Sequence, residues 1–122
     1  MTNPETIKID DQEYVRKDSI NEKAETYEGM EYCIVRTYSA GVFAGFIRSR
    51  DGKEVDLRHS RRIWYWSGAA SLSQLANEGT NSPNDCKFAQ TVPQTILTEV
   101  IEIIPCTQKA QENIQGVPIW EN

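Results

Sequence analysis

The chain has one histidine, His59, and three widely spaced cysteines, Cys33, Cys86 and Cys106. A lone His without a close Cys pair excludes a zinc-type ligand set, so no metal site is expected. An odd, scattered cysteine count is not a disulfide framework. Reduced thiols, buried as small apolar groups, are expected instead. No apolar run approaches the length of a membrane span. The start, MTNPETIKIDD, lacks a basic flank and an apolar centre, so no secretory signal is expected and a cytoplasmic setting is. Linkers, internal repeats and low-complexity segments are also missing, which leaves one domain over 1–122. With 39% apolar residues in 122, one modest core can form.

Catalytic groupings are equally scarce. His59 has no evident nucleophile beside it. Ser67, Ser71 and Ser73 suit turn and cap chemistry. Glu54 and Asp56 are carboxylates at strand spacing, as many solvated strand faces are. No Gly–Lys–Ser/Thr ending follows the small-residue loop Ser67–Ala70, so NTP hydrolysis is unsupported. A non-enzymatic protein without a cofactor is the expectation.

What is present is uneven charge. The formal net charge is −5. Residues 1–35 hold nine acids and four bases, residues 36–62 seven bases and three acids, and residues 63–122 two bases and six acids. Overall acidity argues against a general nucleic-acid coat protein, which needs many phosphate contacts. The basic middle suits a small anion, or pairing with the acidic ends of this chain or of a neighbouring copy.

The strand-like runs are Thr6–Ile9 and Glu13–Arg16, an acidic N-terminal hairpin within 1–30, followed by a loop or short exposed helix over Ala24 and Tyr27. Within 31–122, Glu31–Tyr38, Val42–Ser49 and Glu54–Arg58 form an antiparallel meander. Asp51-Gly52 is its strongest hairpin signal. Gly45 marks a bulge or a close backbone approach. Arg61–Trp66 reads as a fourth strand, and Thr95–Ile104, apolar on both faces, as a central one closed by Pro105. Its Glu99 and Glu102 need partners or an edge, and the basic strand is a source of such partners. Ser71 with Gln74 predicts a capped helix with Leu72, Leu75 and Ala76 inward, ended by Gly79. Thr107 caps a second, with Ala110 and Ile114 inward and Gly116 after it. Phe88 anchors the loop between Thr80 and Pro93, and Val117–Trp120 is a terminal strand or tail. The fold class is α+β: an antiparallel sheet, or partly closed barrel, of about five to six strands with two short helices.

The candidate site lies in Arg58–Gly79. Alternation puts Arg62, Trp64 and Trp66 on one face and Arg61, Ile63 and Tyr65 on the other. Either the tryptophans form an outer stripe with Arg62, or they are core and the Arg62 stem covers them. The stripe, with Arg58, Arg61 and the backbone donors from Gly68 to Ser71, offers the group types a nucleotide needs: stacking surface, phosphate partner and N–H groups.

The run VRTYSAGVFAGFIRSRDGKEVDLRHSRRIWYWSGAASLSQLANEG, then PNDCKF, LTEVIEIIPCTQKA and VPIW, resembles a family of small bacteriophage proteins with no settled activity. The resemblance covers the chain from about Tyr32 onward. Its most specific part is Arg–Arg–x–Trp–Tyr–Trp–x–Gly–Ala at Arg61 to Ala69. It implies phage or prophage origin and carries over no catalytic residues. A phage protein sequestering a small anionic or nucleotide signal in the infected host's cytoplasm is the leading expectation. A virion part, such as a capsid decoration or tail accessory protein, or an inhibitor of a host protein, is the alternative. In either, the aromatic stripe and the opposed charge blocks lead to an expected homo-oligomer.

Overall fold

The computed structural model describes residues 23–121. The expected hairpin of Thr6–Ile9 with Glu13–Arg16 lies outside the described residues. Over 23–29 the chain is not helical: it is a loop with a turn at Glu28-Gly29 and single bridges from Lys23 to Thr107 and from Tyr27 to Met30.

Six strands and two helices follow. β1 is Glu31–Thr37, β2 Val42–Asp51, β3 Glu54–Tyr65, β4 Lys87–Phe88, β5 Val92–Leu97 and β6 Val100–Pro105. Helix α1 is Leu72–Glu78 and α2 is Gln108–Gln115. All paired strands are antiparallel, in the order β4-β3-β2-β1-β6, and β5 also pairs with β3. The α+β class is therefore as the sequence indicates.

Two sequence expectations are corrected. Glu54–Arg58 and Arg61–Trp66 are one strand, β3. What lies between them is a bulge: Ala44 pairs with Arg61 and Phe46 with Arg58, so Gly45 alone faces His59 and Ser60. His59 takes the left-handed conformation there, with φ 50°. The second correction is that Thr95–Ile104 is two strands on opposite edges. β5 lies on β3, and β6 lies on β1. What reads as one strand apolar on both faces is two strands, each burying part of one side. The partners of Glu99 and Glu102 are accordingly not on β3. Glu102 accepts from Arg36 of β1 at 2.8 Å, and Glu99 from the Ser39 hydroxyl at 2.9 Å.

The split explains the curl of the sheet. Three Cα steps from Leu97 to Val100 reach at most about 11 Å. In a flat sheet β5 and β6 would stand four strand spacings apart, about 19 Å. The edges must therefore bend towards each other. They meet where Val100 donates to the Lys53 carbonyl at 3.0 Å and Tyr38 to that of Glu99 at 2.9 Å. The sheet is not closed, since no ladder joins β5 to β6.

Curling gives the chain two cores. Inside the curl lie Cys33, Val35, Phe43, Val55, Leu57, Leu97 and Val100. On the outer face Tyr32, Ile34, Ala44, Phe46 and Ile63 pack under α1 and α2 through Leu75, Ala76, Ala110 and Ile114. β1 thus has apolar residues on both faces. The two helices start as their sequences indicate: Ser71 accepts from the Gln74 amide and Thr107 from that of Ala110.

All three cysteines are free and buried. Burial pushes the Cys33 and Cys106 thiols up from 9.0 to about 12. A raised thiol pKa favours the folded state fully below the unfolded value, and that contribution is lost as pH climbs through the folded one. Stability is expected to fall between pH 9.0 and about 12. Urea midpoints across that range should decline less steeply in a Cys33→Ala/Cys106→Ala variant. An equal decline would refute this thiol linkage.

Candidate functional site

The bulge at His59 decides which arginine faces where. Val55 and Leu57 point inside the curl, and the extra residue makes Ser60, Arg62 and Trp64 continue that face. Arg61 is thrown onto the outer face with Ile63. The alternation expected for Arg61–Trp66 holds as far as Trp64. It fails beyond, because β3 ends at Tyr65 and Trp66 packs against the outer core.

Arg61 is 4% exposed and engaged through all three of its nitrogens. Its Nε donates to the Ala89 carbonyl at 2.9 Å, Nη2 to that of Phe88 at 3.2 Å, and Nη1 to those of Ile114 at 3.1 Å and Val117 at 2.8 Å. Burial lowers its pKa from the ordinary guanidinium value, and the nearby Tyr32 opposes that shift. Such a group ties α2 and the C-terminal segment to β4, with four of its five N–H donors spent on carbonyls.

Arg58 is also engaged. Its Nε and Nη2 donate to Asp56 at 3.0 and 3.3 Å, and the Gln94 amide reaches both Asp56 oxygens at 3.2 Å. The Arg58 hydrogen bond holds the Asp56 carboxyl below its usual range.

Arg62 differs from both. Its guanidinium carbon sits 4.7 Å from the Phe43 ring centre and 5.0 Å from that of Trp64, so the cation lies against two aromatic rings. Its Nε is buried without an acceptor among the described residues. Beside it is a cavity of about 200 Å³ whose walls include Phe43, Ser60, Gln90, Val92 and Thr95. The Ser60 hydroxyl donates to that of Thr95 at 2.9 Å. Trp64 is 58% exposed.

Gly68 and Ser71 do not line this cavity. Gly68 has φ 84°, and a Cβ there would stand 2.6 Å from the Ser82 nitrogen and the Thr80 hydroxyl. Its loop is packed onto Thr80–Ser82 and leaves no open anion cradle. Ser71 is occupied as the cap of the seven-residue α1, accepting from Gln74 at 3.1 Å. Of the seven candidate residues, the fold brings together Arg62 and Trp64, and sends the other five to structural tasks or away from the cavity. Phe43, the second wall of the cation, was missed by sequence reasoning, because its pairing with Arg62 depends on register across β2 and β3.

Near the end of β3, Tyr65, Ile119 and Trp120 are exposed. Ile119 bridges Phe88, and Lys87 lies 5.4 Å from the Trp120 ring centre. No group of three or more His, Cys, Asp or Glu suited to a metal ion occurs among the described residues, and no helix there is long and apolar enough to cross a membrane.

Residues 30–114 match the family described as Domain of unknown function (DUF6948). No curated protein and no solved structure matches the chain.

Proposed function

We propose, on the premise that the chain belongs to the DUF6948 family, that it is a non-enzymatic binding protein whose Arg62–Trp64 site takes a small anionic ligand. The supporting observation is the buried Arg62 Nε, without an acceptor among the described residues and set beside a cavity. A buried charged donor left unmade is costly, so an acceptor from outside the chain would stabilise it. At about 200 Å³ the cavity suits a phosphate-sized group better than a whole nucleotide. The rest of a nucleotide would lie outward, with its base against the exposed Trp64. The resemblance to bacteriophage proteins favours a signal-sequestering role in an infected cell.

A second reading rests on the exposed Tyr65, Ile119 and Trp120. Aromatic residues of this kind anchor interfaces. They favour a protein partner, either a virion component or a second copy in a homo-oligomer.

Calorimetry with inorganic phosphate and a panel of cyclic and linear nucleotides tests the first reading. The wild type should bind at least one of them. Arg62→Ala should then lose about 1.5–3 kcal/mol, the worth of a hydrogen bond to a charged group. Trp64→Ala should lose about 1–3 kcal/mol if a base stacks there. A wild type that binds none of the panel removes the anion reading and leaves the partner surface.

A further inference from the structure

We infer that the hollow between β3 and α2 is a second binding site, for an uncharged planar ring carrying N–H donors, of which a nucleobase is the common example. It stands independently of the Arg62 site and lies on the opposite, outer face of the sheet.

The hollow measures about 470 Å³, well within the range of small-molecule pockets. Three rings form one side. Tyr27 and Phe46 have centroids 5.3 Å apart, Tyr27 and His59 5.6 Å at 75°, and Phe46 and His59 6.5 Å at 84°. Phe46 is buried and is held from below by Tyr32 at 5.0 Å. Tyr27 and His59 are exposed above it. Aromatic faces of this kind accept a planar ring by stacking or edge contact.

His59 occupies this place at a backbone cost. Its φ of 50° is a conformation that glycine takes freely and other residues take with strain. A glycine would serve the bulge better.

The facing side is the glutamine face of α2. Gln108, Gln111 and Gln115 follow at spacings of three and four and so share one side of the helix. Gln108 is committed: its oxygen accepts from the Glu25 amide at 2.8 Å and its NH₂ donates to Glu112 at 3.0 Å. The Gln111 Oε1 is buried and accepts from nothing among the described residues. A buried carbonyl oxygen without a donor calls for one. The missing partner is therefore an N–H or O–H group, and the three rings select a planar molecule to carry it. Charge narrows the class. Among the described residues the lining holds no Lys or Arg and includes Glu25, so a phosphate is disfavoured where a neutral ring is not.

The test is a nitrogen–proton NMR titration of the full chain with adenosine, cytidine and uridine, which carry no phosphate, and separately with inorganic phosphate. At least one nucleoside should shift resonances of Tyr27, His59 and Gln111, while phosphate leaves these unmoved. Gln111→Leu should weaken that binding at least tenfold. His59→Gly should weaken it to the same degree while keeping or raising the melting temperature, since it relieves the left-handed backbone. The inference is overturned if no nucleoside at millimolar concentration shifts these residues. It is equally overturned if the shifts gather at Arg62 and Trp64, or if His59→Gly binds as well as the wild type.

Discussion

Arg61→Met is expected to lower stability by about 4 kcal/mol or more, enough to unfold much of a marginally stable domain. Methionine keeps the bulk of the stem and removes the donors. Four carbonyls, those of Phe88, Ala89, Ile114 and Val117, then lose a charged partner. The Phe88 and Ile114 carbonyls keep backbone donors, Trp120 at 2.9 Å and Val117 at 3.3 Å, so the acceptors left unmade are those of Ala89 and Val117, at about 1–3 kcal/mol each. The Ile114 carbonyl is in the last turn of α2, where a cation also complements the helix dipole. The contact of Arg61 with the Phe88 ring, at 5.3 Å, is lost as well. Arg61→Lys should fall in between, because an ammonium cannot reproduce the fork of a guanidinium. Urea unfolding measures these losses, with Arg62→Met as the reference. Among the described residues Arg62 makes no hydrogen bond through its buried Nε, so its replacement should cost less than about 1 kcal/mol. Equal losses at the two positions would show that the division of labour between them is mistaken.

Gly45→Ala has the second large expected effect, about 3 kcal/mol, at the upper end of what an overpacked methyl costs. The added carbon would stand 2.5 Å from the Ser60 Cβ and 2.8 Å from the Ser60 Cα. The second of these atoms is backbone and cannot rotate away. Relief would require β2 and β3 to part at the bulge that sets the faces of Arg61 and Arg62. Ser60→Gly in the same chain removes one of the two clashes and should restore part of the loss. A double-mutant cycle reads that coupling directly. Gly45→Ala within about 0.5 kcal/mol of the wild type would mean that β2 and β3 can separate there freely.

Both effects turn on residues whose types stand out in the sequence and whose tasks do not. The Asp51-Gly52 hairpin, the Ser71 and Thr107 caps and the inward Leu75, Ala76, Ala110 and Ile114 are all legible locally. Each depends on residues at most a few positions apart: a turn that wants φ of 62° at Gly52, a hydroxyl three residues before an amide, an apolar stripe at helical spacing. The closeness of backbone at Gly45 was legible too, since a glycine inside a strand pattern has few other uses. Composition and spacing thus determined the antiparallel α+β class and pointed to the basic aromatic stretch.

Tertiary structure decided the rest. One bulged residue at His59 fused two expected strands and placed Arg61 and Arg62 on opposite faces. The partners of Arg61 come from 27 to 56 positions away, and Phe43 meets Arg62 only through strand register. The apolar run Thr95–Ile104 fits one buried strand or two half-buried ones equally well by pattern. The choice fell to β1 and β3, which offered free edges that a curled sheet brings together. Local spacing fixes which element a residue belongs to, because backbone geometry repeats over a few residues. Which face is buried, and which charge is satisfied, depends on groups distant in sequence, and these meet only once the sheet has bent.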